Sequence, residues 1–469
     1  MTDPTTVVVG AGPAGIRAAE ALVRHGLRVV VLDESARAGG QIYRQPPDAF
    51  ERAYAKRYGF EARKARALHD AAARVLPLAD YRPSTLVWNV WQRALDVTRD
   101  GRIERVPFDA LVLATGATDR LMPIPGWTRA GVYSLGGAQI ALKYQDCAIG
   151  RRIALLGTGP LLYLVAFQYR KAGANVVAVL DTAPAAAKRR ALPQLAASPR
   201  TLAKGIFYRA WLASRRVAIE EGVVPLEIAG GERVDAVRYR RDGVERRIDC
   251  DAVALGFGLR SETQLADLAG CVFEFDAQDA QWLPRRDADG ETSVPGVYVA
   301  GDGAGIGGAD AAELWGERVG LAIAQRYGRA GADARIAAID RRLARLARFR
   351  AALDRAFAIP ALPPGDDTVV CRCESVRAGA ARAAIRDFGV VDVNRLKALT
   401  RVGMGRCQGR MCGLAAAALV AAESGRDVAA AGRLRAQPPI KPLVMMPSLA
   451  PVPARGPSAP QGAAERSTP

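Results

Sequence analysis

Four cysteines near the C-terminal end form the most chemically specific pattern in this 469-residue chain. Cys371 and Cys373 make a C-x-C pair, and Cys407 and Cys412 make a C-x4-C pair further along. Four thiolates are the set of ligands that one iron–sulfur cluster takes from a protein. The pattern therefore predicts a cluster, and a chain that transfers electrons.

Three other uses of four cysteines compete with the cluster: structural zinc, two disulfide bonds, and chance. Zinc sites are usually built on C-x2–4-C pairs, and a C-x-C pair is a strained bite for one tetrahedral ion. A Rieske centre needs two histidines, but the chain has only His25 and His69, both in the N-terminal region. Disulfides are typical of secreted proteins, and the N-terminal residues MTDPTTVVVGAG do not resemble a signal peptide. The cluster is favoured, with zinc next.

The N-terminal region has the pattern of a dinucleotide-binding unit. A β-branched run at residues 5–9 is followed by a glycine-rich turn, an alanine-rich helix and a strand at residues 28–32 that ends at Asp33. The G-x-G-x-x-G turn allows a tight bend, close approach of the backbone to a pyrophosphate and close helix packing. Its residues are Gly10, Gly12, Pro13, Ala14 and Gly15. The pyrophosphate would bind at the helix N-terminus, and Asp33, or else Glu34, would accept a hydrogen bond from a ribose hydroxyl.

Three later segments indicate which dinucleotide is bound. They are Ala38-Gly39-Gly40-Gln41, Leu113-Ala114-Thr115-Gly116, and residues 295–303 with Gly301 and Asp302. Taken singly, such segments are ordinary turns. In this order they resemble the FAD signature of the flavoprotein superfamily with two dinucleotide-binding domains. The resemblance implies that Asp302 holds a ribityl hydroxyl and that the helix from Ala311 points its N-terminus at the flavin, where it would stabilise negative charge.

A second strand, turn, helix and strand pattern lies at residues 152–181. Its turn contains Gly157 and Gly159, and its second strand ends at Asp181, which would favour NAD over NADP. The third glycine is replaced by Leu162, whose bulk holds helix and strand apart. Three interpretations stay open: a working NAD site, a site for another adenine nucleotide, and a fold that binds no nucleotide.

Cysteine and histidine usage also narrows the chemistry. Disulfide reductases of the superfamily carry a redox cysteine pair beside the flavin, but the segment Gly40-Gln-Ile-Tyr-Arg44 has no cysteine and Cys147 stands alone. Two histidines cannot supply a Ser/His/Asp set or a histidine-rich metal site. No catalytic side chain is predicted, so hydride or single-electron transfer through cofactors is the chemistry that remains.

The combination of motifs resembles one family over most of the chain: the large subunit shared by opine oxidases, bacterial hydrogen cyanide synthase, and the dye-linked proline and D-hydroxyproline dehydrogenases. A region of the sarcosine oxidase α chain is also similar. The resemblance implies that Cys371, Cys373, Cys407 and Cys412 bind a 2Fe-2S cluster in a domain like bacterioferritin-associated ferredoxin (BFD), although small ferredoxins of that type close the cluster with C-x2-C. It also makes Leu162 a family feature, which weakens the NAD interpretation. The matching segments are 39–44, 157–162, 256–260, 301–303, 371–374 and 405–412.

Members of this family work as heteromers, so the resemblance implies partners. A glycine- or sarcosine-oxidase-like flavoprotein subunit would oxidise the C–N bond of an amino or imino acid, often together with a small 2Fe-2S ferredoxin-like subunit. This chain would be the FAD-dependent oxidoreductase subunit that carries electrons onward. The alternatives are a stand-alone NADH-dependent reductase of a ferredoxin, quinone or dye, and a scaffold whose sites only stabilise an assembly.

An α/β fold must position these motifs: two Rossmann-like dinucleotide-binding domains, one inserted in the other, plus a small, mostly helical four-cysteine domain. The tail is rich in proline and small residues, which predicts disorder, although residues 440–446 could form an extended strap on a partner. The expected boundaries are 1–120 with 285–330 (FAD domain), 121–284 (second nucleotide domain), 331–365 (basic amphipathic helical linker), 366–436 (BFD-like domain) and 437–469 (tail).

Composition limits the partners. The net charge of +18 is spread over arginine-rich helices without a nucleic-acid-binding module, so no nucleic-acid partner is predicted. No apolar run reaches the length of a membrane-spanning helix. In the linker, apolar residues recur at steps of three and four among arginines, which favours packing on protein, with peripheral membrane contact as the minor alternative. The isolated Cys147, Cys250 and Cys271 suit a reducing cytoplasm.

Overall fold

The computed structural model describes residues 4–47, 50, 53–329 and 331–443. The strands are β1 (Thr5–Val9), β2 (Arg28–Leu32), β3 (Asp80–Arg82), β4 (Leu86–Trp91), β5 (Ala94–Arg99), β6 (Arg102–Pro107), β7 (Ala110–Leu113), β8 (Ala117–Asp119), β9 (Val132–Ser134), β10 (Ile153–Thr158), β11 (Val176–Asp181), β12 (Ala218–Glu221), β13 (Val224–Ala229), β14 (Ala236–Arg241), β15 (Val244–Asp249), β16 (Ala252–Phe257), β17 (Leu259–Ser261), β18 (Phe273–Asp276), β19 (Gln281–Pro284), β20 (Val297–Val299), β21 (Val369–Cys371) and β22 (Val376–Arg377).

Helices follow most of the parallel strands, as expected for an α/β protein. The α-helices are α1 (Pro13–Arg24), α2 (Tyr54–Tyr58), α3 (Ala62–Val75), α4 (Leu135–Lys143), α5 (Pro160–Lys171), α6 (Ala185–Leu195), α7 (Pro199–Ser214), α8 (Gln264–Leu268), α9 (Ala309–Arg326), α10 (Asp333–Ala356), α11 (Ala378–Asp387), α12 (Val393–Thr400) and α13 (Gly413–Ser424). Short 3-10 helices cover Gly59–Glu61, Leu76–Leu78 and Gly301–Ala304.

The first sheet has five parallel strands in the order β20-β7-β1-β2-β3. Its central strands β1, β2 and β7 are short runs rich in valine and leucine, and such runs suit a sheet that is covered on both faces. Helices α1, α3 and α9 pack on one face, and the antiparallel β4-β5-β6 sheet packs on the other. Because Val297 of β20 pairs with Leu111 of β7, the chain returns to this sheet after completing a second unit.

The second sheet also has five parallel strands, in the order β12-β11-β10-β16-β9. Helices α4, α5 and α7 cover one face, and the antiparallel β13-β14-β15 sheet covers the other. A two-stranded link joins the units, with Thr118 of β8 opposite Arg260 of β17. The predicted fold class, one Rossmann-like unit inserted in another, is confirmed by this topology.

The packing departs from the expected boundary at residue 284. Helix α8 and the turn after it bury Leu265, Ala266 and Cys271 in the core of the first unit, against the β4-β5-β6 side of its sheet. The chain therefore rejoins the first unit about twenty residues earlier than the motif at Gly301 indicated. Sequence motifs mark where a cofactor is expected, whereas the boundary depends on which core takes up the intervening apolar residues.

The basic amphipathic segment forms helix α10, within the linker expected at 331–365. Ile339 and Leu343 are buried against α9, and further along Ala352 and Ala356 pack against α6. The apolar stripe of α10 is thus used within the chain. Among the described residues, no helix is both long and apolar enough to cross a lipid bilayer.

The four-cysteine region is a small helical unit, as predicted. Its three helices are α11, α12 and α13, with α12 between the other two in the chain. A core of small and β-branched residues joins the three helices and includes Cys371 and Cys412. The indole N–H of Trp127 donates to the carbonyl of Val369 at 2.6 Å and ties this unit to the second nucleotide unit.

The expectation of disorder from residue 437 onward is wrong for residues 437–443. Ile440 is only 2% exposed and lies in the core of the first unit, and its N–H donates to the Trp88 carbonyl at 3.2 Å. Lys441 forms an ion pair with Glu34. Burial of one large apolar side chain in a matching apolar pocket can hold a proline-rich segment on the surface of a folded unit. Residues 444–469, including the rest of the proposed strap, lie outside the described residues.

Candidate functional site

The first glycine-rich turn lies where β1 ends and α1 begins. Gly10 has a φ of +105°, and a Cβ there would lie 2.4 Å from the Ala114 carbonyl oxygen. A Cβ on Gly15 would lie 1.7 Å from the Gly10 carbonyl oxygen, so any side chain would push α1 off the strand. No side chain caps the N-terminus of α1 at Gly12, and Pro13 is its first residue. The first amide groups of α1 are therefore available to a pyrophosphate.

The acidic residues predicted to bind ribose have different surroundings. Asp33, at the end of β2, is 8% exposed and accepts hydrogen bonds from the backbone N–H groups of Ala11 and Ser35. Burial raises the pKa of this carboxyl group, and the two N–H donors oppose that rise. Glu34 is directed outward to Lys441. Asp33 is thus the better placed of the two to accept from a ribose hydroxyl.

The remaining predicted FAD residues gather around the same edge of the first sheet. Gly40 approaches the turn so closely that a Cβ on it would lie 2.9 Å from the Gly12 Cα, and Gln41 follows on the exposed side. Asp302 accepts from the N–H groups of Gly307 and Gly308, each at 2.9 Å, just before α9. Burial raises the Asp302 pKa, and those donors oppose the rise.

Helix α9 begins beside these residues without a capping side chain, and Ala311 is buried in its first turn. Two uncapped helix N-termini, the buried carboxylate of Asp33, the partly buried carboxylate of Asp302 and glycines at close approach fit a dinucleotide such as FAD. The Ala114-Thr115-Gly116 segment completes this edge: the Thr115 hydroxyl donates to the Glu262 carbonyl at 2.6 Å, and the Glu262 N–H donates to the Gly116 carbonyl at 2.9 Å.

The second glycine-rich turn has the backbone geometry of a nucleotide-binding turn, but the acidic residue at the end of the following strand is not accessible to a ligand. A Cβ on Gly157 would lie 1.7 Å from the Gly256 carbonyl oxygen, and Gly159 precedes α5 with a φ of +107°. Leu162 is fully buried in the core between α5 and the second sheet. The leucine is therefore part of the packing that holds α5.

Asp181, which was expected to favour NAD over NADP, has no exposed surface. Its carboxylate accepts from the Tyr163 hydroxyl at 2.7 Å, from the Ala183 N–H at 2.9 Å and from the Lys188 ammonium group. Lys188 also pairs with Glu221 at 2.7 Å. A ribose would have to displace these donors before it could reach Asp181. The sequence could not show this because Lys188 lies on α6, outside the motif.

The fold brings the four cysteines together at the start of α13. Cys371 and Cys412 are each 1% exposed, whereas Cys373 and Cys407 are partly exposed at the rim. The Cys412 thiol contacts both Cys371 and Cys407, and Cys373 contacts Cys407. Gly405 leaves the space for this approach, since a Cβ on it would lie 2.3 Å from the Cys373 Cβ.

Contact among the four thiols shifts their pKa values in opposite directions. The neighbouring Cys412 thiol lowers the pKa of Cys371 to about 6 and that of Cys407 to about 5. The backbone N–H groups of Gly409 and Met411 face the Cys407 sulfur and lower its pKa further. The pKa of Cys373 is raised by burial, and that of Cys412 is raised by its contacts with Cys371 and Cys407. Because thiolates rather than thiols bind iron, the lowered pKa values favour metal binding at Cys371 and Cys407.

The residue set fits a two-iron cluster. A 2Fe-2S cluster takes four cysteine thiolates from the protein, two for each iron. The four predicted ligands are therefore together, in a form that suits the cluster.

An ion pair that the sequence did not indicate joins the cysteine unit to the first unit. Arg410, between Cys407 and Cys412, contacts Glu262 at 2.6 Å and 3.4 Å, and both side chains are 9% exposed. Burial alone would raise the Glu262 pKa, but Arg410 and Arg260 hold it below its usual value. Because the backbone of Glu262 bonds Thr115 and Gly116, the cysteine loop lies next to the predicted flavin segment.

Comparison with known proteins gives two family matches. Residues 4–325 match the family described as "Pyridine nucleotide-disulphide oxidoreductase", and residues 369–422 match the "BFD-like [2Fe-2S] binding domain". The first range holds both glycine-rich turns, and the second holds all four cysteines. These are the families of an FAD and NAD(P) fold and of a 2Fe-2S cluster domain.

Similar proteins extend over nearly the whole chain. An opine oxidase subunit of Agrobacterium tumefaciens (strain Ach5) is 38% identical over 464 residues, which cover 93% of this chain and 90% of that protein. Hydrogen cyanide synthase subunit HcnB of Pseudomonas protegens is 34% identical over 457 residues, which cover 93% of this chain and 96% of that protein. Among solved structures, L-proline dehydrogenase from P. horikoshii has a similar fold, with a TM-score of 0.70 at 21% identity over 94% of this chain and 78% of that one.

Proposed function

Because this chain belongs to the family that includes hydrogen cyanide synthase subunit HcnB and the matching opine oxidase subunit, we propose that it is the electron-transferring subunit of a heteromeric oxidoreductase that oxidises a C–N bond of an amino or imino acid. One observation carries the proposal: the four cysteines lie against the segment that holds the flavin motif, through Arg410 and Glu262. When bound, FAD accepts an electron pair and a 2Fe-2S cluster passes single electrons.

The residues of this chain bind and orient those groups. We assign FAD to the uncapped N-termini of α1 and α9, with Asp33 at a ribose and Asp302 at the ribityl chain. Cys371, Cys373, Cys407 and Cys412 hold the cluster. The first and last of these are buried, so Cys373 and Cys407 form the edge at which electrons leave.

The chemical step on the amino or imino acid belongs to another subunit. Within the two matched regions, the predicted site residues serve dinucleotides and metal, and no catalytic acid, base or nucleophile is assigned. We therefore propose a glycine- or sarcosine-oxidase-like flavoprotein partner and, in some assemblies, a small 2Fe-2S ferredoxin-like partner. The three cysteines outside the cluster unit, Cys147, Cys250 and Cys271, form no disulfide, which suits a reducing compartment and supports a cytoplasmic location.

A stand-alone NADH-dependent reductase is the second candidate, favoured by the intact glycines at Gly157 and Gly159. It is the weaker one, because Asp181 is engaged by Lys188 and Tyr163. We expect any nucleotide that binds at this unit to transfer no hydride to the flavin.

The test separates the chain from its partner. The chain purified alone under anaerobic conditions should show flavin and iron–sulfur absorption and should not oxidise octopine, glycine or proline with a dye as acceptor. Co-expression with a glycine- or sarcosine-oxidase-like flavoprotein should produce a complex in which one of these substrates bleaches both absorptions. Turnover of the substrate by the isolated chain would refute the division of labour. A complex that turns over while this chain's absorptions stay unchanged would refute its role in electron transfer.

A further inference from the structure

Two side chains from outside the cysteine unit reach the loop that carries the last two cysteines, residues 407–412, called here the ligand loop. The Gln264 side-chain amide donates to the Gln408 carbonyl at 2.6 Å. The Arg260 guanidinium donates to the Arg410 carbonyl at 2.9 Å and to the Gly409 carbonyl at 3.3 Å. Arg260 belongs to the segment 256–260, whose role the cofactor assignments leave open.

The opposite ends of the same peptide groups face a cluster ligand. The N–H groups of Gly409 and Met411 both face the Cys407 sulfur and are placed to donate to it. The Gly409 N–H shares its peptide group with the Gln408 carbonyl, and the Met411 N–H shares its peptide group with the Arg410 carbonyl. Each of these two peptide groups therefore accepts from Gln264 or Arg260 at its oxygen and donates to Cys407 at its nitrogen.

The direction of these hydrogen bonds is determined by the groups involved. Gln264 is 8% exposed, and because a carbonyl can only accept, its NH2 group must face Gln408. The hydrogen-bond partners of Arg260 in the loop are likewise carbonyl oxygens. Arg260 and Arg410 both lie near the single carboxylate of Glu262, which pairs directly with Arg410. One positive charge therefore remains beside the ligand loop.

A donor at the oxygen of a peptide group polarises it and strengthens the hydrogen bond that its N–H makes. Hydrogen bonds to cluster sulfurs and positive charge nearby both favour the reduced, more negative cluster and so raise its reduction potential. We propose that Arg260 and Gln264 are positioning residues that raise the reduction potential of the 2Fe-2S cluster by polarising the two peptide groups that hydrogen-bond Cys407. The proposal rests on the cluster of the proposed function and is independent of substrate and partner.

The test is a redox titration of the holoprotein, in which the cluster is followed by visible absorption and by electron paramagnetic resonance. R260M should shift the ratio of reduced to oxidised cluster at a given potential about tenfold toward the oxidised form, a fall of about 59 mV for a one-electron couple. Q264M removes a donor without changing the charge, and it should lower the potential by a smaller amount. R260K keeps the charge and a donor, and it should restore most of the loss.

Arg406 offers a matched control because it immediately precedes Cys407 but is exposed to solvent. R406M removes the same charge nearby without touching the two peptide groups, and its shift should be clearly smaller than that of R260M. Equal shifts in R406M and R260M, with none in Q264M, would overturn the proposed route through the peptide groups. So would an unchanged potential in Q264M and R260M at full iron content.

If R260M does not assemble its cluster, the reduction potentials of Q264M and R260K test the proposal instead. Q264M should lower the potential, and R260K should keep it near the wild-type value. These measurements use the chain without a partner or substrate. A failure of the proposed heteromeric function would therefore leave the potentials unaffected, and a failure of this inference would leave substrate-driven bleaching of the complex unaffected.

Discussion

Replacement of Glu262 by glutamine tests whether the buried ion pair with Arg410 holds the cysteine unit on the first unit. Glutamine keeps the shape and the backbone bonds to Thr115 and Gly116 but leaves Arg410 without its carboxylate. Both side chains are 9% exposed, and removing one partner of such a pair costs about 3–5 kcal/mol. For a unit of this size, that loss lowers Tm by on the order of 10 °C.

Arg335 and Glu317 provide the control pair. They also approach to 2.6 Å, but the Arg335 side chain is 51% exposed. Solvent screens such a pair, so E317Q should cost less than about 1 kcal/mol. Thermal and urea unfolding would be followed by visible circular dichroism of the cluster and by tryptophan fluorescence, since Trp127 contacts the cysteine unit.

A double-mutant cycle isolates the pair itself. E262M and R410M should each be destabilising, and the double variant should recover about 2–3 kcal/mol of the summed loss because two apolar side chains can replace a buried pair. The reasoning would be refuted if E262Q cost no more than E317Q, or if the two losses simply added.

The pH dependence provides a further check on the same residue. The folded pKa of Glu262 lies below its usual value, although burial by itself would raise it, because Arg410 and Arg260 stabilise the carboxylate. Its contribution is therefore fully present above the unfolded pKa of about 4.3, and it is lost as the pH falls through the folded pKa. The difference between wild type and E262Q should be constant above about pH 5 and should shrink below about pH 4. A difference that grew on acidification would contradict the sign of the shift.

Three other predictions follow from the cysteines, the second turn and the tail. C407S should abolish the iron–sulfur absorption and electron transfer, whereas C147S, at an exposed isolated thiol, should leave both intact; intact electron transfer in C407S would instead support a scaffold. Anaerobic mixing with NADH should not bleach the flavin, because Asp181 is buried and already paired, and rapid bleaching would restore the reductase alternative. I440A should destabilise the first unit by about 2–4 kcal/mol, because it removes most of a buried side chain. I103A is the control, since Ile103 is 63% exposed, and equal urea midpoints for the two variants would contradict the prediction.

Local patterns in the sequence were sufficient to predict the nucleotide units and a 2Fe-2S domain. A G-x-G-x-x-G turn between a strand and a helix encodes its own geometry, because Gly10 and Gly15 admit no Cβ in that bend. The C-x-C and C-x4-C spacing likewise keeps each cysteine pair close through the chain itself. The apolar face of α10 and the helices of the cysteine unit could be predicted from periodicity, because residues three and four positions apart lie on the same face of a helix.

Contacts between distant residues were decided only by the tertiary structure. Glu262 and Arg410 are 148 positions apart, and no sequence pattern around either residue predicts their contact. The engagement of Asp181 by Lys188 and the burial of Ile440 also depend on how separate elements pack. Side-chain chemistry and turn geometry are determined by a few neighbouring residues. The pairing of buried charges depends instead on which surfaces of the folded units come into contact.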